Sequence, residues 1–265
     1  MDIPSGIILG MVQGLTEFLP ISSSGHLIIA RDVLGLQTNY GLSVDAVLQL
    51  ATSLAIFVYF RRELLMTFRT FFNLLVGRVV EHKDKVLFWG IVLGTIPAIF
   101  FGFLLENSMD TIFRSTSLVA FSLLAGSLLF YLAERFAKQN SALTPKKGLW
   151  IGFFQSLALI PGMSRSGSAI AGGLLLGLTR EEAARFGFMV GFPILLGSGL
   201  KKLFELQTHG ILLEIGLSIF IGALVAFVVG MLVIHFLLKY LRNHTLFVFI
   251  WYRVFLALVL LTFSF

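Results

Sequence analysis

The fold is decided by GMVQGLTEFLPISSSGHLIIARDVLGL at residues 10–36, because this stretch occurs twice. It recurs 142 residues later, at 152–178, as GFFQSLALIPGMSRSGSAIAGGLLLGL, with ten of the 27 aligned residues identical. A match at one fixed offset indicates an internal duplication. The copies differ where chemistry would be placed: the first carries Glu17, Ser23 and His26, and the second carries Leu159, Arg165 and Ser168.

The composition is that of a polytopic membrane protein. Of the 265 residues, 57% are hydrophobic and 13% are charged, with 28 Phe and a mean hydropathy of +0.93. A soluble domain of this length needs far less apolar surface. The net charge of +6 is attributed to basic cytoplasmic loops rather than to a nucleic-acid partner. The absence of cysteine excludes disulfides, thiolate metal sites and a cysteine nucleophile.

Six apolar segments approach the roughly 20 residues that a helix needs to cross a hydrocarbon core of about 30 Å. They are 41–60, 86–105, 116–134, 184–200, 211–238 and 246–265. Two other regions are interrupted: short helical runs at 3–19 and 149–160 end at prolines, and after Ser/Gly clusters second runs follow at 26–36 and 168–178. Runs of about 11 to 16 residues rise only about 16 to 24 Å. We therefore predict an all-α polytopic fold of six transmembrane helices and two re-entrant helical hairpins.

The basic residues test this topology. If each hairpin returns to the side that it enters, 14 of the 20 Lys and Arg residues fall in loops on one side and four on the other. The richer side is predicted to be cytoplasmic, which places both termini outside the cytoplasm. Because each half has one hairpin and three spans, the second half is inverted. We predict one membrane domain, 1–265, of repeats at about 1–134 and 148–265, with residues 20–26 and 161–168 meeting near the midplane.

The two tips carry groups suited to an anion. Irregular backbone at membrane depth needs a polar environment, and hydroxyls and free amides at a helix N-terminus form an anion site that glycine lets a ligand approach closely. Two facing tips would cradle a phosphate. The simpler alternative is that the serines only cap helices and the glycines only permit the turns. The candidate substrate-binding residues are Ser22, Ser24, Gly25, Ser164, Ser166 and Gly167.

Charged residues near the tips are candidates for chemistry. Arg165 suits bidentate phosphate binding, and an ionised group at membrane depth is a functional candidate unless it only pairs structurally with Glu17. Gln13 and Glu17 share one helical face at i and i+4, where they could orient water or bind Mg²⁺ or Ca²⁺. His26, across the tip, could act as acid, base or nucleophile, or only form hydrogen bonds. No organic cofactor is expected.

Other polar residues in apolar segments are weaker candidates. Arg253 and Glu134 are expected to pair or to snorkel to the interface. The basic, partly amphipathic segment 61–85 is predicted to lie along the cytoplasmic lipid surface, where anionic lipids attract it. Three further residues, expected to line a cavity or bridge helices, are Asp45, Gln49 and Gln155.

Two long motifs resemble those of a known family. QGLTEFLPISSSGH at 13–26 and PGMSRS at 161–166 are similar to motifs of the undecaprenyl-pyrophosphate phosphatase family, which is linked to bacitracin resistance. Length and hydropathy agree over essentially the whole chain. The first family motif reads Glu or Gln, three residues, then Glu, and this chain fits it. The second normally has Thr three residues after its second Ser, where this chain has Ala169; the neighbouring Ser168 would point about 100° away on a helix.

The resemblance implies a phosphatase of the bacterial inner membrane. Such enzymes remove the terminal phosphate of undecaprenyl diphosphate and return the monophosphate for cell-wall peptidoglycan synthesis, a step tied to cell shape and to resistance to the antibiotic bacitracin. The active site is expected to face the periplasm or exterior. Glu17, Ser23, His26 and Arg165 would be catalytic, with Gln13 and the tip serines around them. Divalent cations are usually invoked for this family.

The nucleophile stays open between Ser23, His26 and water. The rival interpretation is a prenyl-phosphate flippase or transporter, because inverted repeats with broken helices are common in transporters. A third is a lipid-binding scaffold, against which the charged and unequal tips argue. Phosphate release would favour the enzyme, and lipid translocation without hydrolysis would favour the transporter. The expected partners are a polyprenyl diphosphate and membrane lipids.

Overall fold

The structure, a computed structural model, describes residues 1–36, 41–109, 116–208, 210 and 212–262. Within these ranges the regular structure is helical, without a strand, which confirms the all-α prediction. A turn of 3-10 helix at Leu157–Leu159 follows α7. The helices are α1 (Ile3–Phe18), α2 (Ser23–Val33), α3 (Gly41–Tyr59), α4 (Arg61–Leu75), α5 (His82–Met109), α6 (Thr116–Phe136), α7 (Pro145–Ser156), α8 (Arg165–Leu175), α9 (Arg180–Thr208), α10 (Leu212–Leu241) and α11 (Phe247–Thr262).

Four of the six predicted spans are helices long and apolar enough to cross a membrane, namely α5, α6, α9 and α10. The span predicted at 41–60 is α3, which joins α4 through a bend of 85°. The span predicted at 246–265 is α11, of which 16 residues are described, fewer than the roughly 20 of a typical crossing; residues 263–265 lie outside the described part. The described helices therefore make a multi-pass membrane protein with four spans, or five if the bent pair is one.

Helix α4 turns away from α3 and exposes apolar side chains, including Leu65, Phe68 and Phe72. The helix is also basic along one side, since Arg62 and Arg69 are exposed and lie roughly 70–90° around the helix from these apolar side chains. An amphipathic helix set across the end of a span has the shape of an interfacial helix. The 85° bend is the orientation that a helix along the lipid surface would need, and that position of α4 stays a prediction.

Each predicted hairpin is a pair of short helices around a break, at 19–22 between α1 and α2 and at 160–164 before α8. The second helices begin at Ser23 and Arg165, three residues earlier than the predicted 26 and 168. The expectation that the Ser/Gly clusters are irregular was wrong beyond their first residue. The first serine of each cluster caps its helix, so the rest of the cluster forms the first helical turn.

Both hairpins end in the same helix-terminating motif. Gly35 and Gly177 have φ of 64° and 88°, the left-handed conformation that glycine adopts without a steric penalty. The residue after each glycine donates its N–H to a carbonyl five residues earlier, at 2.9 Å in both copies. This is a Schellman motif, and it explains why the Leu-Gly-Leu ending is part of the repeated sequence.

Small residues let two pairs of helices pack with their backbones in contact. Helix α1 packs along α10, and α7 packs along α5. The facing residues are Gly6 and Ser218, Gly10 and Gly222, Gly148 and Gly90, and Gly152 and Gly94. A Cβ at Gly148 would lie 2.5 Å from the carbonyl oxygen of Gly90, which is closer than atoms approach. Small residues four apart are the usual means by which membrane helices approach closely.

These contacts cross between the two copies of the repeat. The two glycines of α1 and the two of α7 are 142 residues apart, and each pair is covered by a helix from the other half. Helix α3 likewise packs on α9, and α6 packs on α11. The two halves therefore interlock instead of forming separate bundles.

The two hairpins differ in how deeply their second helices are buried. Helix α8 packs against α6, α7 and α9, and every residue from 166 to 174 is buried. In α2 only Gly25 and Leu27 are buried. The second hairpin is thus enclosed by protein, whereas α2, which carries Ser23 and His26, is the more open of the two.

We expect Gly152→Ala to destabilise the protein, because its new methyl group would collide with the backbone of Gly94 on α5. Overpacking of this kind typically costs about 1–3 kcal/mol. The matched control is Gly197→Ala on α9, where no described atom lies within 4 Å of the position that a Cβ would take and where alanine favours the helix. Thermal unfolding in detergent should give a lower midpoint for Gly152→Ala only. Equal midpoints would contradict the packing described above.

Candidate active site

Both hairpin tips hold a serine in a strained backbone conformation. Ser22 has φ of 76° and Ser164 has φ of 71°, values that residues other than glycine rarely adopt. Each Oγ accepts the N–H of the glycine three residues on, at 3.5 Å from Gly25 and 3.2 Å from Gly167. Such strain costs about 1–3 kcal/mol and persists where the surroundings enforce it. Ser22 and Ser164 thus cap α2 and α8, in a geometry that helix capping alone does not require, and their predicted part in substrate binding stays a prediction.

Glu17 lies at the centre of a buried polar cluster. Its Oε2 accepts the hydroxyl of Ser23 at 2.7 Å and the amide of Gln13 at 2.8 Å. Its Oε1 forms an ion pair with Arg165. The Glu17 side chain is only 3% exposed, and Gln13 also donates to Thr52 at 3.3 Å. The cluster therefore joins α1, α2 and α8, and it contains three of the four residues predicted to be catalytic.

The two tips are neighbours in space, as the duplication predicts. The Arg165 contact with Glu17 joins residues 148 positions apart. A second contact also joins the two tips: the Ser166 hydroxyl donates to the carbonyl of Leu19 at 3.3 Å. Ser166 also lies 3.3 Å from Ser164, and the corresponding contact of Ser24 is with Ser22. Each half therefore supplies one wall of the site.

Arg253 donates hydrogen bonds to the backbone at both helix breaks. Its guanidinium lies within 3.4 Å of the carbonyl of Pro20 and 2.9 Å of the carbonyl of Gly162. It also reaches the carbonyl of Leu123 on α6 at 3.1 Å and lies over the ring of Phe130. The side chain is 0% exposed. A buried charge must have polar partners, and here the partners are the carbonyls that the broken helices leave free.

The expected pairing of Arg253 with Glu134 was wrong, and so was snorkelling. Glu134 binds Arg180 of α9 through two hydrogen bonds from Nε at 3.0 and 3.1 Å and accepts the N–H of Leu246 at 2.8 Å. Glu134 lies near the end of α6 and Arg253 in the interior of α11, so the two side chains act at different depths. Asp45, in contrast, bridges helices as expected, through its ion pair with Arg31 of α2.

His26 lies outside the hydrogen bonds of the Glu17 cluster. Its Nδ1 is 2.8 Å from the carbonyl oxygen of Ser22, and its Nε2 is 2.7 Å from the hydroxyl of Tyr252 on α11. A carbonyl only accepts hydrogen bonds, so Nδ1 carries a proton. Tyr252 was not predicted from the sequence, because a tyrosine 226 residues away has no motif that marks it. Its only sequence signal is its place beside the intramembrane Arg253.

Three buried side chains near the tips have polar atoms without a hydrogen-bond partner in the described part of the chain. They are Gln13 through Oε1, Gln155 through both amide atoms, and Ser168 through Oγ. Gln155 is the repeat counterpart of Gln13, and Leu159 replaces the glutamate that Gln13 binds. The hydroxyl of Ser168, the neighbour of Ala169, therefore does not extend the Glu17 cluster.

The residues considered for a divalent cation do not form a preorganised site. Both oxygens of Glu17 accept hydrogen bonds from Ser23, Gln13 and Arg165, and a cation would have to displace these donors. The described residues include no group of three or more His, Asp or Glu side chains that could hold a metal. Hard cations need several oxygen ligands. The Gln13 and Glu17 pair alone does not supply them.

A known protein family matches almost the whole chain. The family described as bacitracin resistance protein BacA matches residues 6–259.

Several proteins named undecaprenyl-diphosphatase are similar to this chain. The protein of Rubrobacter xylanophilus is 41% identical over 262 residues, covering 97% of this chain and 96% of its own length. That of Trichlorobacter lovleyi is 41% identical over 260 residues, covering 96% and 94%. That of Thermobifida fusca is 38% identical over 265 residues, covering 98% and 90%. The similarity thus extends over both copies of the repeat.

We expect Arg253→Met to destabilise the protein strongly, because it leaves the carbonyls at both breaks without their donor. Buried groups left unpaired cost about 1–3 kcal/mol each. Arg253→Lys should recover only part of the loss, since an ammonium cannot span both carbonyls as a planar guanidinium does. The control is Arg242→Met, which removes an exposed ion pair with Glu181 worth about 0–1 kcal/mol. Thermal unfolding in detergent should separate the variants, and similar midpoints for Arg253→Met and Arg242→Met would contradict this role.

Proposed function

The chain belongs to the bacitracin resistance protein BacA family, and on that basis we propose that it is a membrane enzyme that hydrolyses undecaprenyl diphosphate. The products are undecaprenyl phosphate, the carrier used in cell-wall synthesis, and inorganic phosphate. The name of the relatives, undecaprenyl-diphosphatase, supports the substrate and the reaction. The observation that carries the proposal for this chain is the contact of one carboxylate, Glu17, with both a hydroxyl and a guanidinium.

Ser23 is the nucleophile that this geometry favours. Its hydroxyl already donates to Glu17 at 2.7 Å, as a nucleophile and its base do. Both ring nitrogens of His26 are engaged with other groups, so His26 is the weaker candidate. In the first step the Ser23 oxygen bonds to the terminal phosphorus, the bridging P–O bond breaks, and the hydroxyl proton passes to Glu17. In the second step water cleaves the seryl phosphate, and Glu17 returns a proton to Ser23.

The second half of the site binds the substrate. Arg165 has five N–H donors, of which the Glu17 contact uses one, and the others can hold non-bridging phosphate oxygens. The N-termini of α2 and α8 add free backbone amides and the positive ends of two helix dipoles. Phosphoryl transfer depends mainly on such positioning and charge neutralisation. The unequal tips therefore divide the work between a catalytic first copy and a binding second copy.

The finer topology is part of the same proposal. We place six membrane crossings and two re-entrant hairpins in an inverted repeat, with both termini and the active site on the outer face of the bacterial cytoplasmic membrane. The interlocked packing of α1 on α10 and of α7 on α5 supports the inverted repeat. The excess of basic residues in the predicted cytoplasmic loops supports the orientation. The charged cluster favours hydrolysis over the transporter alternative, since binding and release of a lipid do not require a paired hydroxyl and carboxylate.

We expect Glu17→Gln, Ser23→Ala and Arg165→Lys each to reduce phosphate release from a prenyl diphosphate by about 100-fold or more, the usual scale for losing a general base or a charge-stabilising donor. The control is Glu63→Gln, which breaks an ion pair with Arg185 far along the chain from the tips. Thermal unfolding in detergent checks that all variants fold. Full activity in Glu17→Gln and Arg165→Lys would disprove this site.

The stereochemical course distinguishes Ser23 from water. Two displacements at phosphorus retain configuration, whereas direct attack by water inverts it. With a chiral terminal thiophosphate we expect retention, and with a labelled terminal phosphate we expect a phosphorylated enzyme that Ser23→Ala does not form. Inversion would instead indicate that the nucleophile is water activated by Glu17, and not Ser23.

A divalent cation is proposed to enter with the substrate, because the diphosphate can supply ligands that Gln13 and Glu17 do not. Removing divalent ions with EDTA should then abolish phosphate release and leave the unfolding midpoint without substrate unchanged. Readdition of Mg²⁺ or Ca²⁺ should restore activity. A lower midpoint in EDTA alone would instead indicate a resident structural metal.

A further inference from the structure

His26 has one nitrogen through which it can exchange a proton. Its Nδ1 donates to the backbone carbonyl of Ser22 at 2.8 Å, and a carbonyl cannot return a proton. Only Nε2 changes its protonation state. Nε2 lies 2.7 Å from the Tyr252 hydroxyl, so any proton that His26 takes up or gives away must pass the phenol oxygen.

Tyr252 is suited to a second contact. Its hydroxyl both donates and accepts, and the residue is 40% exposed, whereas His26 is half-buried. The two rings are nearly parallel, with an interplanar angle of 10° and centroids 5.6 Å apart. This stacking holds the phenol in one orientation toward Nε2. The side of the hydroxyl away from His26 remains available to a substrate oxygen or a water molecule.

His26 lies on the same helix, α2, as the proposed nucleophile Ser23. Ser23 and His26 are three residues apart on α2, so they lie on one face of the helix. Glu17 takes the proton of Ser23 on one side. A proton given to the group that leaves as Ser23 attacks must come from another donor, because Glu17 is receiving one at that moment.

We propose that Tyr252 is a catalytic residue that relays protons between His26 and the reacting oxygens; this inference rests on the proposed function. As the bridging P–O bond breaks, the oxygen of the departing undecaprenyl phosphate takes the phenolic proton of Tyr252. The phenol oxygen takes the Nε2 proton of His26, which begins the step protonated on both ring nitrogens and ends it neutral. In the second step the attacking water gives a proton to the phenol oxygen as the phenol proton returns to Nε2. The net result of both steps is hydrolysis, with His26 and Tyr252 restored.

The test is Tyr252→Phe, which removes the hydroxyl and keeps the ring. We expect kcat for prenyl diphosphate hydrolysis to fall by about 100-fold, the lower end for losing an acid–base group, with little change in KM. The matched control is Tyr131→Phe on α6, whose ring packs on Phe247 far from His26 along the chain; it should keep wild-type kcat. Unfolding midpoints in detergent should agree among the variants.

A double-mutant cycle separates a relay from a structural role. In a His26→Gln background the relay has no proton to pass, so Tyr252→Phe should have almost no further effect. His26→Gln should remove one limb of the pH profile of kcat, and Tyr252→Phe should remove the same limb. The charged group that acts on His26 from the helices around it is Arg253 of α11, and it is unchanged in both variants.

The outcomes are distinct. Wild-type kcat in Tyr252→Phe, with an active wild-type enzyme, would overturn the relay and leave the proposed function intact. Equal losses in the wild-type and His26→Gln backgrounds would also overturn it, because they indicate packing instead of proton transfer. Absence of phosphate release by the wild-type protein would overturn the proposed function and the relay together.

Discussion

The burial of one guanidinium group is the constraint on which the site depends. Arg253 has no access to solvent, and its hydrogen bonds go to carbonyls at Pro20 and Gly162, where the two hairpins break. A broken helix within a membrane leaves carbonyls without partners, and a buried cation needs acceptors. The carbonyls left free at the two breaks are thus the acceptors that the buried guanidinium needs. The distance between the tips is thereby fixed, and with it the contact of Arg165 with Glu17.

The sequence allowed the local features of the site to be predicted but not the contacts that come from elsewhere in the chain. The duplication predicted that the tips meet, and the identical serine and glycine positions predicted an equivalent turn in each copy. Glu17 and Arg165 stood out because charges at membrane depth are rare. The partners of Arg253 are backbone carbonyls, which every residue carries, so no side-chain pattern reveals them. Tyr252 is likewise one tyrosine among five, and only the packing of α11 brings it to His26.

The predictions that failed have a common physical cause. Hydropathy suggests a pair between Glu134 and Arg253 because both are charges in apolar segments, yet each binds partners at its own level along the helices. A serine cluster suggests irregular backbone, so the sequence predicts a start of α2 three residues late, although a capping serine lets the following residues begin a helix at once. In both cases hydropathy identifies the apolar segment, but it does not indicate which partner a side chain binds or at which residue a helix begins. The glycine pairs between α1 and α10 were missed for a related reason, since close approach depends on two helices and a sequence presents one at a time.

The interlocking of the halves also has a consequence for how the protein is made. Helix α1 leaves the ribosome well before α10, the helix that covers its glycine face, which follows about 200 residues later. Until α10 has been made, the first hairpin, which carries Glu17, lacks the helix that packs against α1. Contacts between such distant parts of a chain form late and slowly. The first copy therefore reaches its final packing only after α10 has been made, and a chain truncated before α10 lacks the helix that packs against α1 even though every residue of the first copy is present.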